Sequence, residues 1–150
     1  MKKIMTIIAI LLITMACSKS DSNYYSPYLP SQSVYFSLDL RNPEANSVRL
    51  PNGIFITYNA GISGIAIYNS GGHYFAYELT CPNHEISYNC SILKQKKLND
   101  IFVYCTCKDQ HGGEEAVYSL INGQPMNKKL KYQLKPYPVY QRGDFLEIRY

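Results

Sequence analysis

The sequence has no tryptophan, no internal repeat and little excess of either charge sign. Its 15 Lys and Arg against 11 Asp and Glu leave +4 over 150 residues, too mild and too scattered to call for a nucleic-acid partner. No stretch of helical length keeps a 3.6-residue apolar period, which argues against a helix bundle. A Ser–His–Asp set, a phosphate loop and a metalloprotease signature are all missing. The acidic residues Glu114, Glu115 and Asp144 are dispersed, so nothing here argues for hydrolysis. What is abundant is tyrosine, 15 residues with 5 phenylalanines, in a chain that is 46% hydrophobic and 17% charged. That composition is globular and favours strands, and the length suits one ordinary domain.

The strands are legible as short runs rich in Ile, Val, Tyr and Phe: Val34–Leu40, Gly53–Tyr58, Gly64–Tyr68, Tyr74–Leu79, Ile101–Cys105, Ala116–Leu120 and Phe145–Tyr150. Turn residues separate them, at Pro51-Asn52-Gly53, Asn69-Ser70-Gly71-Gly72, Gly112-Gly113, Asn122-Gly123 and Arg142-Gly143-Asp144. The expectation is an all-β fold of stacked antiparallel sheets, a small β-sandwich. Lys94–Lys97 reads as a solvated loop tip and His73 as an exposed turn residue. Tyr137 and Tyr140, on either side of Pro138, read as strand-pair packing.

The first segment reads as an address. Lys2 and Lys3 precede the apolar run Ile4–Ile13, and Ala16 stands before Cys17, the layout of a secretory signal. The run is too short to be a comfortable spanning helix. Thr14-Met15-Ala16-Cys17 resembles a bacterial lipobox, in which the cysteine is lipidated, with cleavage by an ordinary signal peptidase as the alternative. Residues 18–30 are polar and interrupted by prolines, as a tether would be. The expected organisation is a signal peptide at 1–16, a lipid-anchored tether at 17–33 and a β domain at 34–150. Several acyl chains on Cys17 would anchor the protein stably. Ser18 is not a retention signal of the Asp type, so outer-membrane residence is expected, facing the periplasm or the cell surface.

Four cysteines remain after Cys17: Cys81, Cys90, Cys105 and Cys107. They form two groups with histidines. One is Cys81-Pro82-Asn83-His84 with Cys90 further on. The other is Cys105-Thr106-Cys107 with His111-Gly112-Gly113 after it. Thiolate and imidazole together suit zinc or the iron of an iron–sulfur cluster. An even number of cysteines in an exported chain equally suits two disulfides. Pairing within Cys105-Thr106-Cys107 is disfavoured, because a bridge across one residue is strained.

The order of these pieces resembles a Rieske domain. Gly64–Tyr68, a Gly-Gly turn and Tyr74–Leu79 lead into Cys81-Pro82 as the approach to a first cluster loop. Cys105-Thr106-Cys107 and His111-Gly112-Gly113 resemble an altered second loop. Asn122-Gly123-Gln124-Pro125, Leu130, Leu134–Val139 and Gly143–Ile148 resemble the Gly-Pro loop and closing strands. The resemblance spans about residues 34–150. A Rieske loop pair presents Cys-x-His and then Cys-x-x-His, with the cysteines on one iron and the histidines on the other. Cys81 and Cys105 match the two cysteines. His84 is one position late, behind the extra Asn83. Lys108 stands at the second histidine position, and His111 serves only if residues 108–110 bulge outward.

The resemblance also implies a disulfide between the loops, with Cys107 as the second-loop member and Cys90 as its partner. Some bacterial lipoproteins of this kind keep four cysteines and lack both histidines. By that likeness Cys81 and Cys105 would face each other without iron and oxidise to a second bridge. The reading taken from the sequence is therefore a membrane-anchored lipoprotein, a non-enzymatic structural or interaction module with two disulfides, no cofactor and an unidentified envelope partner. Three alternatives stand beside it. One is an electron carrier with a [2Fe–2S] cluster on Cys81, Cys105, His84 and His111, or on all four cysteines. Another is a zinc site on the same residues, and the last is a redox-sensing dithiol protein.

Overall fold

The structure, a computed structural model, describes residues 26–87 and 89–150. The expected signal peptide, Cys17 and the expected tether as far as residue 25, including Tyr24 and Tyr25, lie outside the described residues. No helix among the described residues is long and apolar enough to cross a membrane.

Among the described residues, nine strands form three antiparallel sheets. They are β1 (Tyr35–Asp39), β2 (Ile54–Thr57), β3 (Ile65–Ser70), β4 (His73–Glu78), β5 (Phe102–Cys105), β6 (Ala116–Ser119), β7 (Pro136–Tyr137), β8 (Val139–Arg142) and β9 (Phe145–Arg149). The orders are β1-β9-β8, β2-β3-β4-β7 and β5-β6. A short helix, α1 (Asn46–Arg49), follows a 3-10 turn at Pro43–Ala45.

The four-stranded sheet lies between two apolar cores, and its central strand β3 is buried on both faces. That is why Ile65–Tyr68 is continuously apolar and does not alternate. Ile65 and Ile67 join the core with Leu38, Leu146 and Ile148 from the β1-β9-β8 sheet. Ala66 and Tyr68 join the other core, with Leu79, Leu93, Val103 and Tyr118. Full burial of a side chain such as Leu146 or Ile148 contributes about 1.5–3 kcal/mol.

The layer on the second core carries the cysteines. Beyond β4, Thr80 bridges Ile92, with Cys81 N–H donating to the Ser91 carbonyl at 2.8 Å and Leu93 N–H to that of Leu79 at 2.7 Å. Lys94 then bridges Tyr104 on β5. The lysine run is thus no free loop tip at its first residue. Lys94 pairs with β5, and Lys96 lies over the Tyr104 ring and pairs with Glu115. This joins the end of β4, residues 91–94 and the β5-β6 pair into one layer, with Cys81 and Cys105 at neighbouring strand ends.

Two further placements concern single residues. His73 is exposed, at the start of β4 rather than in the turn before it. Tyr137 is buried, while Tyr140 on β8 is half exposed.

The last residues of the expected tether pack on the domain. Tyr28 meets the Tyr132 ring edge-on at 6.3 Å, and Lys135 donates to the Pro30 carbonyl at 3.3 Å. Val34 exchanges two main-chain hydrogen bonds with Tyr150.

Glu78 is a fully buried carboxylate on β4. It accepts from Ile62 N–H at 2.8 Å, Ser63 N–H at 2.9 Å, the Thr80 hydroxyl at 2.7 Å and the Tyr137 hydroxyl at 2.6 Å. These donors replace the water that a buried carboxylate otherwise lacks. They also fix residues 61–64, whose Gly64 carbonyl accepts from Leu79 N–H at 2.8 Å just ahead of Cys81.

Candidate metal centre

Two loops leave the strand ends: residues 82–90 after Cys81 and 106–115 after Cys105. A disulfide between Cys90 and Cys107 ties them together, with Cα atoms 5.0 Å apart. The other expected bridge is absent. Cys81 and Cys105 are free thiols, both fully buried. Each sulfur has an imidazole for a neighbour. One donor atom from each of Cys81, His84, Cys105 and His111 lies within 4.8 Å of all the others.

The loops cross over. His84, from the first loop, brings Nε2 to 3.2 Å from Cys105 Sγ. His111, from the second, brings Nε2 to 3.6 Å from Cys81 Sγ. The two imidazole rings are 5.1 Å apart. His111 reaches the centre because Lys108–His111 coil into a 3-10 turn, the outward bulge that the long spacing requires. Gly112 ends that turn at φ 69°, a left-handed conformation natural to glycine, and Gly113 N–H closes it on the Lys108 carbonyl at 2.9 Å. Lys108 itself is exposed on the turn. Cys90 and Cys107, joined to each other, are not among the donors.

The donor set suits a metal. His84 Nδ1 lies 2.6 Å from the Glu85 carbonyl, which only accepts, so Nδ1 carries the proton and Nε2 presents its lone pair to the centre. Two thiolates with two neutral imidazoles carry −2, which balances a dication or an oxidised [2Fe–2S] core. A net-neutral group is what a buried site accommodates. Borderline-soft sulfur and nitrogen donors are the set that zinc and iron–sulfur irons take.

The Cys81 thiol is already polarised toward that state. Cys81 is drawn down to about 5, first by its hydrogen bond with Cys105 and then, against burial, by Tyr118 and the Asn83 backbone. Cys105 is driven the other way by the same hydrogen bond and by burial. Cys105 Sγ also lies 3.3 Å from the Cys90 carbonyl.

Two residues around the centre escape a reading by residue type. Tyr118, on β6, is fully buried with its hydroxyl 3.5 Å from Cys81 Sγ, and burial pushes its pKa up. In the sequence it is one more tyrosine of an alternating strand. Asn83 is visible only as the extra residue between Cys81 and His84.

No family model matches the chain, and no curated protein matches it. Among solved structures it is similar to a chain of the complex of reduced oxygenase and oxidised ferredoxin in carbazole 1,9a-dioxygenase. That likeness has 16% identity and a TM-score of 0.44, and covers 77% of this chain and 92% of that one. It is also similar to the ferredoxin of carbazole 1,9a-dioxygenase from Nocardioides aromaticivorans IC177. There the identity is 11% and the TM-score 0.39, covering 66% of this chain and 86% of that one. Both likenesses are distant, and neither carries an argument about function.

Proposed function

We propose that Cys81, His84, Cys105 and His111 hold a Rieske-type [2Fe–2S] centre and that the protein is an electron carrier rather than a structural module. The observation behind this is the convergence of one cysteine and one histidine from each of two disulfide-linked loops. It meets the Rieske resemblance of the sequence at the point where the spacing departs from the pattern. A bound cluster would supply one-electron transfer. The residues of this chain do the rest. His84 is held in one tautomer by the Glu85 carbonyl, Tyr118 stands beside the Cys81 sulfur, and the disulfide keeps both loops in place. We further propose that lipidation of Cys17 holds this carrier at the outer membrane, where its partner is an envelope oxidoreductase.

A single tetrahedral ion, zinc above all, is the second reading, and the Sγ–Nε2 approaches of 3.2 and 3.6 Å favour it. Donors around one zinc stand about 2.0–2.3 Å from the metal and so lie close to one another. A cluster puts the sulfurs and imidazoles on different irons, and these contacts would have to open to admit it.

Iron, acid-labile sulfide and zinc, measured on protein purified without oxygen, decide between the readings. Two irons and two sulfides per chain, with visible colour, support the carrier. One zinc and no colour overturns it in favour of the single ion, and no metal overturns both. His84→Ala and His111→Ala should each lose the metal, while Lys108→Ala should keep it. Loss in Lys108→Ala equal to that in His111→Ala would refute the ligand assignment.

A further inference from the structure

Asn83 makes the first ligand motif one residue longer than the Rieske pattern, and its side chain uses every donor and acceptor it has. Oδ1 accepts from the backbone N–H groups of Lys131 and Tyr132, both at 2.9 Å. Nδ2 donates to the Tyr132 carbonyl at 2.7 Å and to the Tyr118 hydroxyl at 2.8 Å. Two N–H groups can meet only the amide oxygen, and a carbonyl can meet only the NH₂, so the amide has a single orientation. The Tyr118 oxygen must therefore accept from Asn83. Tyr118 is fully buried, and the other partner of its hydroxyl is Cys81 Sγ at 3.5 Å. A metal-bound thiolate has no proton to give, so that contact is made with the tyrosine hydrogen.

We infer that Asn83 is a positioning residue for the metal centre: it clamps residues 131–132 to the first ligand loop and turns the Tyr118 O–H onto the Cys81 sulfur. The inference rests on the metal-centre reading above. A hydrogen bond of this kind withdraws charge from a ligand sulfur, and outer partners of this sort tune both affinity and electronic properties. It gives the extra residue a task, since an asparagine side chain at this position spans from the ligand loop to the 131–132 strip.

Asn83→Asp separates the two parts of the claim. A carboxylate still accepts from the Lys131 and Tyr132 N–H groups. It gives up the bond to the Tyr132 carbonyl and has no hydrogen for Tyr118, whose O–H then turns toward Asp and away from Cys81. The probe is Co²⁺ added to metal-free protein, read at its thiolate-to-metal charge-transfer band. Asn83→Asp should move that band to longer wavelength, and so should Tyr118→Phe. In a Tyr118→Phe background, Asn83→Asp should move it little further. Equal shifts in both backgrounds would be a bare charge effect and would overturn the inference, as would a band that does not move. A wild-type protein that binds neither Co²⁺ nor iron would instead overturn the metal-centre reading itself. Amide hydrogen exchange on the wild-type protein tests the clamp without any variant. Slow exchange is expected at Lys131 and Tyr132, and exchange at the rate of an open loop overturns it.

Discussion

Reduction of the Cys90–Cys107 bridge should cost the metal-free domain about 3 kcal/mol. The two residues are 17 apart in sequence. In the chain-entropy model a closed loop of that size restricts the unfolded chain by about 3 kcal/mol at 25 °C. In a domain of this size that is about 10 °C or more in Tm. The assay is equilibrium urea unfolding, followed by tyrosine fluorescence, with a chelator present throughout and with or without a reductant. The reduced protein should also show a steeper dependence on urea, because its freed unfolded chain exposes more surface. Cys90→Ala/Cys107→Ala completes the experiment. Cys81 and Cys105 are already free thiols, so reductant should leave this variant unchanged. Two results would refute the reasoning. One is oxidised and reduced wild-type curves within about 1 kcal/mol of each other, against the 3 kcal/mol of the loop-entropy model. The other is a reductant-dependent loss that persists in the double variant, which would reveal a Cys81–Cys105 bridge.

Other perturbations test the scaffold. Glu78→Gln turns an NH₂ toward one of the donors that now meet the carboxylate, and should cost about 1–3 kcal/mol in chemical unfolding. An unchanged midpoint would show that the network carries no stability. Burial, and then the Glu78 hydrogen bond, raise the Tyr137 pKa above its ordinary 10.0. Above that pH the unfolded chain releases a proton that the folded chain keeps, so stability should fall as pH rises, by about 1.4 kcal/mol per pH unit for this group. Tyr137→Phe should flatten the alkaline slope by that amount, and an unaltered slope would remove Tyr137 as its source. Gly123 has φ 73°, and a Cβ there would come within 2.7 Å of the Tyr77 ring. Gly123→Ala should therefore cost more than about 1 kcal/mol, read as a lower Tm.

The strand runs that alternate or stay continuously apolar were legible because side-chain period and burial coincide in them. β7 and β8 were not. Pro138 interrupts them, and β8 is an exposed edge with Gln141 and Arg142. α1, four residues long, is too short to show a period. At the site, cysteine and histidine announced themselves by type, and the Cys90–Cys107 pairing came from family likeness. Whether His111 could reach the centre depended on the path of residues 108–110, and spacing alone leaves that open. The 3-10 turn and the left-handed Gly112 settle it. The expected Cys81–Cys105 bridge failed for a similar reason, since nothing in the order of residues said that two imidazoles would crowd those sulfurs. Glu78 was invisible because its partners are backbone groups of a remote loop and one tyrosine on β7.

The pairing of β1 with β9 bears on the order in which this domain folds. Tyr35 lies opposite Arg149, so that sheet joins the first strand of the domain to its last. The layer with the ligand loops is built from β4, β5 and β6, which are near one another in the chain. The larger loop-closure cost falls on the layer that carries no chemistry. Loop-closure entropy thus favours forming the ligand loops and their bridge before β9 closes the domain, and in that order a metal would meet its four ligands before the far layer is complete.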